Sequence, residues 1–524
     1  MALGLLPVAS VHAQDVRPWR SGDRVLITAF HRLGAVTSDL SRVYAASPHG
    51  IQVYDHTLSQ WEIPIMLPPH FSGHDPPSAL AYDGAGDLLW VGTRRGELFV
   101  YHLHLQRWDS YGAVAKGPVL QLVPAQRHGN VLYVQNPTGW VRVQKDVGSA
   151  ERVLPGQLPP EARERSGSVG ERIARADPFF HALSGTLSMD DRLRRWPITD
   201  FEPAHIPDQY WVATDGGSLL DLDVHSFTVQ PMSFGLLTRG SGAVMDDGGK
   251  LWFGGDGRGT RLGVSRSDTA LQRWQHFEAR YDAAPAGYVN DILPTSEAVW
   301  FAAEDGLFRF DRDTEGWWRA GQRDGLPGEE VLALAPTEEG VWAGTGNGLV
   351  AISDDGELLD GPFLTGVRVN RLVLAGDTLW LATTAGAFQL PASDTLPGEL
   401  TRLPGTEEHP GLRGLVLDIR PGQSEAFLLT DRALYRFDGA EWVGPEEEAL
   451  VNSFGRLHRM ALADDQLWLA ADRGVLRWDR LDGSWYEYHI GPDINEGPVT
   501  QILPAGDHVW VATPGGAMRL RWRR

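Results

Sequence analysis

Six polar residues stand near the centres of short, otherwise apolar segments: Gln121, Asp291, Arg371, Asp418, Arg459 and Gln501. They comprise two carboxylates, two guanidiniums and two carboxamides, the groups that recognise polar molecules by charge and hydrogen bonding. If the fold sets these segments side by side around an axis, the six groups converge on a central pocket or channel. Mixed charge there suits a polar or sugar-like ligand. The same residues also admit a structural account, as polar groups paired with one another around a wet channel, because buried polar groups find partners.

Other candidate chemistry is thinner. His70 and His74, with Asp75 adjacent, sit in a Pro-rich loop, and His102 and His104 share one strand face at period two. Neither set supplies the three or four convergent ligands of a zinc site, so no metal and no cofactor is expected. The run Gly254 to Gly259 follows a Trp-bearing strand and does not open a helix, which makes it a long turn and not a phosphate loop. The chain has no Gly-x-Ser-x-Gly elbow, and its cysteine count of zero removes thiol nucleophiles, thiolate ligands and disulfides. No catalytic residue is assigned.

The elements that must position the six residues repeat. A phrase of apolar, Trp or Tyr, apolar, Gly or Ala, Thr or Ala, then a polar turn ending in Gly, returns about eleven times. Its centres are Tyr44, Trp90, Tyr133, Trp211, Trp252, Trp300, Trp342, Trp380, Phe427, Trp468 and Trp510, most of them 38 to 48 positions apart. That spacing is the length of one four-stranded blade. Within a repeat a short apolar strand comes first, such as Val499 to Leu503, then the Trp strand, then a third strand opened by Gly, then a more polar fourth. Gly in that turn supplies a positive φ at no steric cost. The Gly or Ala after the Trp leaves room for a bulky side chain of the adjacent blade. The apolar runs are too short, too β-branched and too often broken by Gly and Asp to be helices.

The fold class is therefore all-β, a β-propeller of about eleven four-stranded blades, arranged as two tandem rings or alternatively as one large ring. The expected division is 1–13 as a signal-peptide remnant, 14–268 as a first propeller with an insertion or degenerate blade at 144–205, and 269–524 as a second. In that insertion, Glu161 to Asp177 suits a short helix and Phe179 to Trp196 a degenerate blade. The orphan strand Arg24 to Phe30 can pair with the last repeat, which lacks its fourth strand, and so remove an exposed edge.

Composition bounds the partners. With 68 acidic against 47 basic residues the net charge is −21, which repels phosphate backbones and argues against nucleic acid. Ala2 to Ser10 is apolar and Val11-His12-Ala13 offers small residues for a signal peptidase, so the chain is expected to be periplasmic or extracellular. No later segment has the run of about 18 apolar residues of a transmembrane helix.

The repeats resemble the two-component-regulator propeller family. The residues that carry the resemblance run from Trp300 to Val331: Glu304-Asp305-Gly306-Leu307, Phe308-Arg309-Phe310-Asp311 and Asp324-Gly325-Leu326-Pro327. Gly346-Asn347-Gly348-Leu349 and Leu476-Arg477-Trp478-Asp479 repeat parts of the pattern. The resemblance implies an extracytoplasmic ligand-sensing propeller. The family's membrane helix and kinase have no counterpart in this sequence. An exported binding or interaction module, taking a small polar ligand or a protein partner, is the expected function. The alternative is a propeller-type lyase or hydrolase acting on a polar or carbohydrate substrate.

Overall fold

In a computed structural model the described residues are 12–13, 19–20, 22–68, 75–125, 129–178, 180–181, 185–190, 192–226, 228–391, 399–422 and 425–523. His70, His74 and most of the signal-like segment fall outside them. The described residues form eleven sheets, nine of four strands and two with a fifth, antiparallel except where His12–Ala13 pairs parallel with Trp485–Tyr486. This is a β-propeller architecture, as the repeat count requires.

The sheets divide between two compact units. The larger comprises residues 1–28, 236–269 and 276–524. Its innermost strands, in chain order, are Ser241–Asp247, Val289–Pro294, Val331–Pro336, Val369–Ala375, Asp418–Pro421, Leu457–Ala463 and Gln501–Ala505, which open blades 1 to 7. Each innermost strand packs on the next, and that of blade 7 packs on that of blade 1, so the ring closes. The closing blade takes its outer strand from the other end of the chain. Arg24–Ile27 pairs antiparallel with the last strand, Arg24 opposite Leu520 and Ile27 opposite Ala517. The edge that the orphan strand was expected to cover is thus paired.

The smaller unit, residues 29–235 with 270–275, holds four blades, opened by Ala35–Ser38, Pro77–Asp83, Gln121–Pro124 and Arg195–Pro203. Between its third and fourth blades come two short helices, Pro160–Glu164 and Val169–Ala176. Ser168 caps the second, accepting from the Glu171 N–H while the Glu171 carboxylate returns to the Ser168 N–H. Ala162 joins the apolar core of the third blade and Ile173 that of the fourth. The region expected to be a degenerate blade contributes, among the described residues, only the strand Leu187–Met189, which adds to the fourth blade beside Arg195–Pro203.

The blade count matches the repeat count, but the expected boundary at 268/269 falls in the hairpin between Gly263–Asp268 and Trp274–Glu278, neighbouring strands of blade 1. The chain passes between units after Thr28 and after Gly235. The seven-blade unit is thus interrupted after Arg24–Ile27 by the four-blade unit, an arrangement that a repeat of constant phase does not announce.

The repeat motif has a packing cause at each position. Trp300 of blade 2 is fully buried against Leu334, Val341 and Ala343 of blade 3, and Trp468 of blade 6 against Val499, Ile502 and Val509 of blade 7. The small residue after the Trp clears the neighbour: a Cβ on Gly344 would lie 2.7 Å from Val369, and one on Gly254 2.5 Å from Val289. The arginine of the third strand lies across from the Trp and over its ring, Arg309 on Trp300 at 5.9 Å and Arg477 on Trp468 at 5.7 Å. The aspartate that follows closes the outer hairpin. Asp311 accepts from the Thr314 N–H and hydroxyl, both at 2.8 Å. The family pattern is therefore a set of structural contacts.

Candidate functional site

An innermost strand has no strand beyond it, so any N–H pointing to the axis needs another acceptor. Side chains of the preceding blade supply it. Asp291 Oδ2 accepts from the Leu334 N–H at 3.2 Å, Asp418 Oδ2 from the Met460 N–H at 2.9 Å, and Gln501 Oε1 from the Val244 N–H at 2.6 Å. These bonds tie blade 2 to 3, 5 to 6 and 7 to 1. The smaller unit uses the same device, Asp200 on the Val36 N–H at 3.1 Å. Three of the six residues singled out from the sequence thus have a structural task.

The arginines of the set complete a cluster. Arg371 of blade 4 donates to Asp291 at 2.8 Å and lies 3.8 Å from Asp418. Arg420 of blade 5, which the sequence reading missed, lies 3.4 Å from Asp418 and donates to the Met460 carbonyl at 2.8 Å. Arg459 of blade 6 donates to the Asn370 carbonyl at 2.8 Å and has no carboxylate within ion-pairing distance among the described residues. The signal for Arg420 was available: it lies two positions after Asp418 and so shares its strand face. Gln121 does not join the cluster. It is buried on the third blade of the smaller unit.

Burial pulls the Arg371 guanidinium down, but Asp291 and Asp418 outweigh it and leave its pKa above the usual value. For Arg420, burial dominates and the neighbouring arginines add to it against the pull of Asp418, bringing it down to about 10. Arg459 is lowered by burial first and by Arg371 next. All three remain cationic at neutral pH, since a guanidinium holds its proton there. Three cations therefore face two carboxylates.

Arg371, Arg420, Arg459 and Gln501 are among the residues that line a cavity of about 260 Å³. Its walls include Met245, Met460, Leu462 and Leu503. A second cavity of about 180 Å³ is lined by Tyr288, Asn290, Asn370 and His458, and Arg459 borders both. Burial raises the pKa of the Tyr288 phenol, which keeps it neutral.

His102 ends its strand, Glu97–His102, and His104 lies in the turn that follows, so the two do not share a strand face and do not converge. His102 meets Asp109 at 2.9 Å and His104 meets Asp87 at 3.1 Å. Among the described residues no group of three His, Asp or Glu side chains is arranged to hold a metal ion, and no helix is long and apolar enough to cross a membrane.

No protein-family profile and no curated protein matches the chain. Among solved structures it is similar to the extracellular domain of BT3049 from B. thetaiotaomicron, described as a hybrid two component system, at 13% identity over 98% of this chain and 77% of that one, TM-score 0.44. It is similar likewise to the extracellular domain of BT4673 from the same organism, at 13% identity over 97% and 77%, TM-score 0.38. A third is PorZ of Porphyromonas gingivalis, described as an essential bacterial surface component of the type-IX secretion system, at 12% identity over 95% of this chain and 87% of that one, TM-score 0.56. The likeness to PorZ is one of fold, and extracellular domains of two-component systems stand among the structures that the chain resembles.

Proposed function

We propose that this chain is an exported propeller binding module whose ligand enters the central cavity of the seven-blade unit. The observation that carries the reading is the convergence of Arg371, Arg420, Arg459 and Gln501 on one cavity of about 260 Å³ with an open side. A site of that size, just under the ~300–1,000 Å³ of pockets for drug-sized molecules, suits a small ligand held by a few placed polar groups among apolar walls. Export is supported by the signal-like residues Ala2 to Ala13.

The lyase or hydrolase alternative has no observation in its favour. The cavity lining holds no carboxylate, and the two carboxylates behind its arginines are engaged, Asp291 with Arg371 and the Leu334 N–H, Asp418 with the Met460 and Ile419 N–H groups.

The test is a thermal-shift screen of small sugars, amino acids and organic acids against the full chain and against Ala463→Trp. Ala463 lines the cavity at the end of its strand. Compounds that raise the melting temperature of the native chain should fail to do so in the variant. Equal stabilisation of both proteins would remove the cavity as the ligand site.

A further inference from the structure

The cavity is not a neutral polar site. Its arginines carry one more positive charge than the adjacent carboxylates cancel, in a chain whose net charge is −21. Arg371 has both carboxylates for its charge, Asp291 at 2.8 Å and Asp418 at 3.8 Å, though its Nε makes no hydrogen bond. Arg420 has only a share of Asp418, and Arg459 has a backbone carbonyl. A buried cation without a counter-charge is costly, and the cost falls when an anion arrives.

Gln501 adds direction. Its Oε1 is fixed as the acceptor by the Val244 N–H, so its Nε2 is the donor, and that amide has no protein partner among the described residues. The cavity thus presents two guanidiniums and one amide as donors, with no unpaired acceptor beside them. The partly exposed apolar residues of the lining are Met245, Leu462 and Leu503, and the lining has no charged side chain besides the three arginines. A fully ionic ligand such as phosphate would leave those walls unmatched. A planar carboxylate fits the guanidinium fork in two-point fashion, and an apolar body attached to it would lie along the methionine and leucine side chains.

We infer that the central cavity binds a small organic carboxylate, its anionic head between Arg420 and Arg459 with the Gln501 amide, and its apolar body against Met245, Leu462 and Leu503. This rests on the cavity reading proposed above and adds the chemical class of the ligand.

The experiment is calorimetric titration of the full chain, in a low-chloride buffer, with three probes: benzoate, its neutral counterpart benzyl alcohol, and inorganic phosphate. Benzoate should bind one to one and at least about tenfold more tightly than either other probe, the difference expected when charge-assisted hydrogen bonds are lost. Arg459→Met should weaken benzoate at least about tenfold while leaving the melting temperature of the chain unchanged or higher, because it deletes an unbalanced buried cation. If Arg459→Met does not fold, Arg420→Met and the three-probe comparison on the native chain still decide. Equal binding of benzoate and benzyl alcohol, both blocked by Ala463→Trp, would overturn the anion inference and leave the cavity reading standing. Phosphate binding in preference to benzoate would overturn the carboxylate class. Benzoate binding that survives Ala463→Trp, or no binding by any probe, would overturn both.

Discussion

The carboxylate of Asp418 should be among the most sensitive single groups in the seven-blade unit. It is fully buried, accepts from the Ile419 and Met460 N–H groups at 2.8 and 2.9 Å, and faces Arg420 at 3.4 Å and Arg371 at 3.8 Å. Asp418→Asn keeps an acceptor oxygen for a backbone N–H and removes only the charge. Arg420 then loses its one carboxylate and Arg371 one of its two. Removing one partner of a buried ion pair costs about 3–5 kcal/mol, because the other is left uncompensated. For a unit of this size, at roughly 2 °C per kcal/mol, that is a fall of about 6–10 °C in melting temperature. Asp418→Ala also orphans the Met460 N–H, for about 1–3 kcal/mol more. Calorimetry in a low-salt buffer should rank native above Asn above Ala. A carboxamide variant that melts with the native protein would refute the charge accounting, since Arg420 and Arg371 would then be balanced by something other than this aspartate.

Three further outcomes follow from the blades. Gly344→Ala drives a methyl group into Val369, 2.7 Å from the new Cβ, and should cost about 1–3 kcal/mol; Val369→Ala in the same chain should recover part of it, measured by a urea double-mutant cycle. Gly474 has φ +144° and its Cβ position lies 1.9 Å from the Tyr488 carbonyl oxygen, so Gly474→Ala should lower the urea midpoint by the equivalent of at least about 1–3 kcal/mol. The outer-hairpin aspartates Asp55, Asp223, Asp311 and Asp438 are all held below the usual carboxylate range by hydrogen bonds from residues just ahead, Asp311 at about 2 through Thr314. Their folded pKa values lie below the unfolded one, so the stability they add is complete above about pH 4 and is lost as pH falls toward 2. Melting temperature should drop through that window, and less steeply in Asp311→Asn; parallel curves would show that the turn bonds do not depend on the charge.

The blades were legible because their causes are local and repeated. The Trp needs a small residue behind it, the third strand needs Gly at positive φ, and the outer turn needs Asp, so Trp300, Gly306 and Asp311 stand at fixed spacing. The nesting was not legible, since every blade offers the same apolar faces and the motif carries no mark of which blade is its neighbour. The site was half legible. Asp291, Arg371, Asp418, Arg459 and Gln501 do come together, because inward positions recur at one phase of the repeat. Gln121 holds the same phase in the other unit, and phase alone cannot separate the two. Arg420 was missed because only one residue per strand was considered, whereas its strand places two side chains on that face. The inter-blade ties of Asp291, Asp418 and Gln501 depend on which N–H of the next innermost strand faces the axis, and a strand's residues do not mark that choice.

The strand Arg24–Ile27 pairs with Ala517 to Leu520, which sets an order of events during synthesis. The chain emits the first strand of the ring, then all four blades of the smaller unit, and only afterwards the seven inner strands of the larger one. The smaller unit has every residue it needs before the larger has completed a single blade. The first strand must wait for nearly the whole polypeptide before its partner exists, and the ring stays open until the final blade is released. The smaller unit can therefore form from local contacts, while closure of the larger unit needs a contact between residues about 490 positions apart, the kind of non-local pairing whose loop-closure cost slows folding.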